Sequence, residues 1–343
     1  MHSKKSLLIL LSFLMLSSCN IFVSNKDNDE PKTKANKVSV GEKIVINGRT
    51  FEYTEDIYVI NPKITDEYLI IGADNNYGQD TGAFIKDRFV KLSPYAMCKY
   101  QVTQELYKAV MFGEEFNGQA LASNPSQCNG IDYSSFDYGI QIYRPVEYVT
   151  SYDAMYFCNR LTELVGKGLT KAYDIEIIEV DDNGNIMQAN VVYNLDATGY
   201  RLPTEAEWEF AARGGDTQAE EWDYQWSGSQ TFSEIGWNKG TSNCNGTHQV
   251  GLKKPNRLGL YDMSGNAWDW CVDYLKNDLD TGFAKNPVVL SPPDLSNVKR
   301  IRRGGGWVTG EAGCSVYIRT QMQYEPSYRY NDLSFRFVRS TPE

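Results

Sequence analysis

GYRLPTEAEWEFAARGG, residues 199–215, is the stretch from which the fold can be read. Thr204 follows Pro203 and stands three residues before Glu207. This spacing is that of a reciprocal cap, in which the threonine oxygen takes the Glu207 amide and the carboxylate reaches back. Trp208 and Phe210 carry the helix on, and Gly214-Gly215 stop it. Glu205 and Glu209 lie four residues apart on one face, which reads as a solvated stripe, whereas Glu207 belongs to the cap. Two further helices follow upstream. Thr103 caps a helix to about Met111 with Val102, Leu106 and Val110 on one face. Thr150 and Asp153 open another, in which Ala154, Phe157, Cys158, Leu161 and Val165 recur at helical spacing before Gly166.

Between these helices run long segments rich in Gly and aromatics. Residues 38–70 alternate apolar and polar positions and predict short strands. The stretch from Lys167 to Thr198 reads as a hairpin insertion turning at Asp181-Asp182-Asn183-Gly184-Asn185. The fold class expected is α+β with much irregular backbone held by aromatic packing. The 343 residues are 41% hydrophobic and include 23 Tyr and 7 Trp, enough for a large core or for broad contact surfaces.

Lys4 and Lys5 precede the apolar run Leu7–Leu16, which meets Leu16-Ser17-Ser18-Cys19. That is a leader of residues 1–18, too short to span a bilayer. The junction resembles a bacterial lipoprotein signal, in which Cys19 carries the lipid. Residues 19–37 read as a flexible tether and residues 38–343 as the folded body. The implied location is the bacterial cell envelope, the outer membrane or cell surface, with no transmembrane helix. A formal charge of −10 argues against a nucleic-acid partner. The expected partner is a protein or another cell-surface ligand. The cysteines after Cys19 are scattered, with no CxxC pair.

Four blocks stand in a distinctive order: VKLSPYAMCKYQVTQELYKAVM from Val90, RPVEYVTSYDAMYFCNRL from Arg144, the quoted block from Gly199, and PNRLGLYDMSGNAWDWC from Pro255. RGGGW follows at Arg303. Together they resemble the formylglycine-generating-enzyme, or sulfatase-modifying-factor, domain, over roughly residues 60–340. The resemblance implies a C-type lectin fold of that enzyme's type, rich in irregular loops. It also implies an activity, oxidation of a substrate cysteine by two copper-binding cysteines five residues apart. Here Thr309 stands at the first of those positions and Cys314 at the second. A hydroxyl is a hard ligand that does not replace a thiolate on Cu(I), so copper is not expected, no catalytic residue is assigned, and the enzyme reading is the alternative. Cys314 is then a structural residue or a disulfide partner, with Cys271 as the candidate. His248, in NGTHQVG, resembles a structural turn of the family.

The block Asp262–Asp269 resembles the family's calcium loop. Position by position, the side chains of Asp262 and Asp269 and the carbonyls of Gly265 and Ala267 would hold Ca²⁺, with Asp269 where glutamate is usual. The alternative is a metal-free turn whose carboxylates take backbone amides.

The terminal segment also resembles the variable proteins of diversity-generating retroelements, which share this fold and use that segment as a display surface. Arg303–Trp307, Cys314, Arg319, Pro326, Arg329, Phe335 and Arg336 form the frame. Between them Val308, Thr309, Gly310, Tyr317, Ile318, Thr320, Tyr324, Ser327, Tyr328, Tyr330, Asn331 and Asp332 are reachable by adenine mutagenesis of an AAC codon, whereas Glu311, Met322 and Gln323 are not. The ligand-binding set so implied is Val308, Thr309, Glu311, Tyr317, Ile318, Thr320, Gln321, Gln323, Tyr324, Ser327, Tyr328, Tyr330, Asn331 and Asp332. Tyrosine supplies rigid amphipathic area and the short polar residues supply hydrogen bonds.

Overall fold

Helix α1 (Gln104–Met111) begins where Thr103 accepts the Leu106 amide, and α2 (Ser151–Val165) begins with the reciprocal Thr150/Asp153 cap and ends at Gly166 with φ +67°. Helix α3 (Glu205–Ala212) carries the reciprocal Thr204/Glu207 cap, as its spacing predicts. The structure, a computed structural model, describes residues 43–51, 57–60, 62, 70–71, 82–128, 138–242, 245–319 and 324–341. The leader, the tether, Cys19, Thr320, Gln321 and Gln323 lie outside these residues.

The apolar face of α2 is in the core, with Ala154, Phe157, Cys158 and Leu161 fully buried. Phe157 stacks on Tyr107 of α1 at 5.4 Å and meets Phe335 edge-on at 5.1 Å, so both helices grip the C-terminal segment. The hairpin predicted before Thr198 forms between Tyr173–Val180 and Ile186–Tyr193. Among the described residues no helix is long and apolar enough to cross a membrane.

Two small sheets position the terminal segment. In a four-stranded antiparallel sheet, Val338–Ser340 lies between Tyr200–Arg201 and Tyr95–Cys98, with Ile57–Ile60 beyond. In a three-stranded sheet, Trp268–Tyr274 is central, antiparallel to Arg300–Arg303 and parallel to Leu333–Ser334. Residues 304–332 therefore leave from one edge of the central strand and return to the other. A loop so tied at both ends loses less entropy when its side chains engage a ligand than a free loop would.

The solvated stripe expected on α3 is corrected. The helix is buried on every face, and Glu205 and Glu209 are 4% and 0% exposed. Glu209 accepts from Arg213 Nε at 2.9 Å, from the Ala83 amide at 2.7 Å and from Arg303, while Glu205 accepts from Arg319 Nε at 2.7 Å. A buried carboxylate persists only with such partners, and removing one costs about 3–5 kcal/mol. Arg303 and Arg319 thus fix both strand and segment to α3.

Candidate functional site

The segment begins with a turn that only glycine can make. Gly304 and Gly305 have φ of +95° and +78°, and a Cβ on Gly305 would collide with Cys314, one on Gly306 with Asp332. Thr309 completes the turn: its Oγ1 accepts the Gly306 amide at 3.1 Å and its own amide donates to Gly306 O at 2.9 Å. The Thr309 hydroxyl is thereby used to hold the backbone. Cys314 is fully buried with Phe232 and Ile235, whereas Cys271 lies in a different apolar cluster. Neither is in a disulfide, so the Cys271–Cys314 bridge does not form. Burial pushes the Cys271 thiol well above its ordinary range.

Beyond the turn, aromatic rings and one guanidinium form a ladder from core to solvent. Arg302 lies 4.2 Å from the ring of Trp268 and 4.4 Å from that of Tyr324. Tyr324 stacks on Tyr328 at 3.7 Å with planes 8° apart, and Tyr328 faces Tyr330 at 6.3 Å and 15°. Exposure rises along it, from 3% at Trp268 and 4% at Arg302 to 43% at Tyr330. Burial, with a hydrogen bond to Tyr324, pushes the Tyr328 hydroxyl up to about 12, so it stays neutral at physiological pH. The backbone beneath is fixed. Pro326 O accepts from the amide and the hydroxyl of Ser151, each at 2.9 Å, and Tyr330 O takes the Tyr148 amide at 3.0 Å. Arg329 pairs with Asp181 in the hairpin turn and covers Tyr148 at 5.0 Å. The hairpin insertion thus buttresses the segment.

The expected contact residues divide. Val308 is 42% exposed, and Thr309, Glu311, Tyr324, Ser327, Tyr328 and Asn331 are half-buried. Glu311 O accepts from Trp226 Nε1 at 2.9 Å, and Asn331 O from Trp307 Nε1 at 2.9 Å. Tyr317 and Asp332 depart from the expectation, at 6% and 3% exposed. Tyr317 packs into the cluster of Trp208 and Phe210, with Ile318 half-buried against it. Asp332 lies under Gly306, and burial, opposed by the nearby Arg302, leaves its pKa raised to about 6.

Two buried titratable groups stand near this face and escaped the sequence reading or were read only as structural. Glu147 is fully buried, accepts the Cys128 amide at 2.9 Å and leaves Oε2 without a hydrogen-bond partner; burial raises its pKa to about 8. His248, at 3% exposure, stacks between Trp237 at 3.8 Å and Tyr138 at 4.3 Å. Burial first, then the charges of Arg144 and Lys253, lower its pKa to about 3. An imidazole held neutral between two rings is a packing element, in keeping with its reading as part of a turn.

The expected calcium loop is the turn before the central strand. Asp262 Oδ2 takes the Gly251 amide at 2.9 Å, while Asp262 Oδ1 is buried without a partner. Asp269 Oδ2 accepts from Trp208 Nε1 at 2.9 Å and Arg336 Nε at 2.7 Å, and Oδ1 has only a 3.4 Å contact with Gln101 Nε2. The Gln101 amide also meets Ala267 O, and its own Oε1 is buried and unpartnered. Asp262 takes a backbone amide and Asp269 is held by Trp208 and Arg336, and among the described residues no group of three or more His, Cys, Asp or Glu gathers to hold a metal ion, so Asp262 Oδ1 and Gln101 Oε1 are the hard oxygens left open here.

A lectin-like frame of short sheets carrying an anchored aromatic segment defines the class of protein. Residues 28–341 match the sulfatase-modifying factor enzyme 1-like domain, and the chain belongs to that family. It is similar to the chaperone protein LppX of Paenibacillus barcinonensis, 32% identical over 270 residues that cover 73% of this chain and 81% of that one. It is similar to the formylglycine-generating enzyme of Thermomonospora curvata, 26% identical over 268 residues, 70% of this chain and 81% of the enzyme. Among solved structures, Treponema denticola variable protein 1 superimposes with a TM-score of 0.66 at 28% identity, covering 89% of this chain and all (100%) of that one. One fold thus carries an enzyme, a chaperone and a variable protein, and the site has to decide between them.

Proposed function

We propose that this chain is a lipid-anchored protein of the bacterial cell envelope, attached through Cys19, that binds a protein or cell-surface ligand with residues 308–332. The observation that carries the reading is the use of Thr309: its hydroxyl closes the Gly306 turn where the enzyme needs a copper thiolate, and Cys314 is buried. What the segment presents instead is Val308 and the Tyr324–Tyr328–Tyr330 ladder, rigid area of the kind that binding proteins use. Likeness to Treponema denticola variable protein 1 supports assigning the segment to retroelement-directed diversification.

Three measurements test this. Stoichiometric Cu(I) binding that is lost on Cys314→Ala, with oxygen uptake on a cysteine peptide, would restore the enzyme. Neighbouring DNA should hold a near-copy of the last coding segment with AAC codons at the variable positions and a reverse transcriptase; absence of both removes the diversification reading. Metabolic labelling with a palmitate analogue should mark the chain and fail on Cys19→Ala.

The side chains of Asp262 and Asp269 with the carbonyls of Gly265 and Ala267 would hold Ca²⁺, and bound there the ion would pin the turn at the start of the central strand. A chelator should lower the melting temperature of the native protein and leave that of Asp262→Asn unchanged. An equal response of both proteins would remove the ion from this turn.

A further inference from the structure

The ladder's outer end points to the chemistry of its partner. Aromatic faces in this protein are repeatedly covered by cations: Lys253 over Trp237 at 3.9 Å, Arg144 over Tyr138 at 5.3 Å, Arg300 over Tyr274 at 4.0 Å, and Arg329 over Tyr148 at 5.0 Å. The ladder itself contains one such cation, Arg302, between Trp268 and Tyr324. Its last ring, Tyr330, is 43% exposed, and among the described residues it stacks only on Tyr328. The ring face carries negative quadrupole density. The side chain of Glu325 is exposed on the same segment, and the chain as a whole has a formal charge of −10. Arg302 is buried and the neighbouring Arg329 is paired with Asp181, so the exposed Glu325 and the net negative charge favour a cationic ligand over an acidic one here.

We propose that Tyr330 receives an arginine side chain of a partner protein, whose guanidinium continues the ladder as Arg302 does within it; this rests on the reading of residues 308–332 as the binding face. Arginine suits the place better than lysine, because its planar, weakly hydrated head stacks on a ring while an ammonium keeps its water. A single exposed contact of this kind is weak, so the partner presents more than one arginine or adds contacts along Val308 and Tyr328.

The test uses the folded body titrated calorimetrically, at physiological salt, with hexa-arginine, hexa-lysine and hexa-citrulline. Hexa-arginine should bind several-fold more tightly than hexa-lysine, and the uncharged citrulline peptide should not bind. Tyr330→Phe should keep the affinity, and Tyr330→Ala should lose about fivefold. Equal binding of both cationic peptides that ignores Tyr330→Ala would overturn the proposal, since it would report net charge alone. Tyr330-dependent binding of a neutral oligosaccharide without arginine binding would also overturn it, yet leave the binding face standing. If no peptide or glycan of an array binds in a way that Tyr328→Ala or Tyr330→Ala weakens, both fall.

Discussion

Two stacks of rings run through this protein, and they end differently. In the first, Lys253, Trp237, His248, Tyr138 and Arg144 follow one another, a cation closing each end. In the second, Trp268, Arg302, Tyr324, Tyr328 and Tyr330 climb from the core and stop at an exposed ring. The closed stack spends all its faces on the fold: it joins the segment before His248 to the turn at Asn266, whose side chain bonds both the amide and the carbonyl of His248 at 2.9 and 3.1 Å. The open stack keeps one face unspent. The same interaction therefore closes on itself in one place and leaves an exposed ring in another, and what separates them is whether the last face is covered.

The contrast is broken most severely at the root of the open stack. Trp268→Ala removes a buried indole from the central strand and should cost about 3–5 kcal/mol in urea unfolding. A loss below about 1 kcal/mol would mean that the ladder does not stand on the core.

The two regions should next respond to pH in opposite directions. His248 has its pKa lowered from 6.5 to about 3, so the folded state resists a proton that the unfolded chain accepts. Its contribution is present above pH 6.5 and lost as pH falls toward 3. Glu147, beside the open stack, has its pKa raised from 4.5 to about 8. Its contribution is present below pH 4.5 and lost as pH rises toward 8. Each limb should be worth on the order of 2–4 kcal/mol. Denaturant midpoints followed across pH should show His248→Phe flattening the acid limb and Glu147→Gln the alkaline one. A variant that flattens the other limb, or neither, would overturn the assignment of that limb.

The smallest stability effect belongs at the tip. Tyr330→Ala should change unfolding free energy by less than about 0.5 kcal/mol. A loss comparable with that of Trp268→Ala would show that Tyr330 is packed rather than presented.

Much of the frame was legible from local chemistry. The caps at Thr103, Thr150 and Thr204 and the hairpin turn at Asp181 involve groups within a few residues of one another, so spacing alone reveals them. The Gly304-Gly305 turn and the substitution at Thr309 could likewise be read from the segment itself. The proposed binding face was legible only in part. Tyr317 and Asp332 have the residue types of a contact surface, but their neighbours bury them. Glu205 and Glu209 have the spacing of a solvated stripe, but Arg303, Arg319 and Ala83 come from far along the chain. The ladder escaped because Trp268 and Arg302 lie 34 positions apart and their union with Tyr324 depends on sheet pairing.

By itself, then, the sequence determined the three capped helices, their ends, the family's blocks and the threonine at position 309, because each is set by contacts between near neighbours or by the identity of one residue. Which carboxylates are buried, which tyrosines face solvent, and that one stack is closed while the other is open were decided only by tertiary structure. Burial is a property of surfaces brought together across the chain, and of the open stack only Tyr324, Tyr328 and Tyr330 fall within one local window, while Trp268 and Arg302 reach them through the sheet.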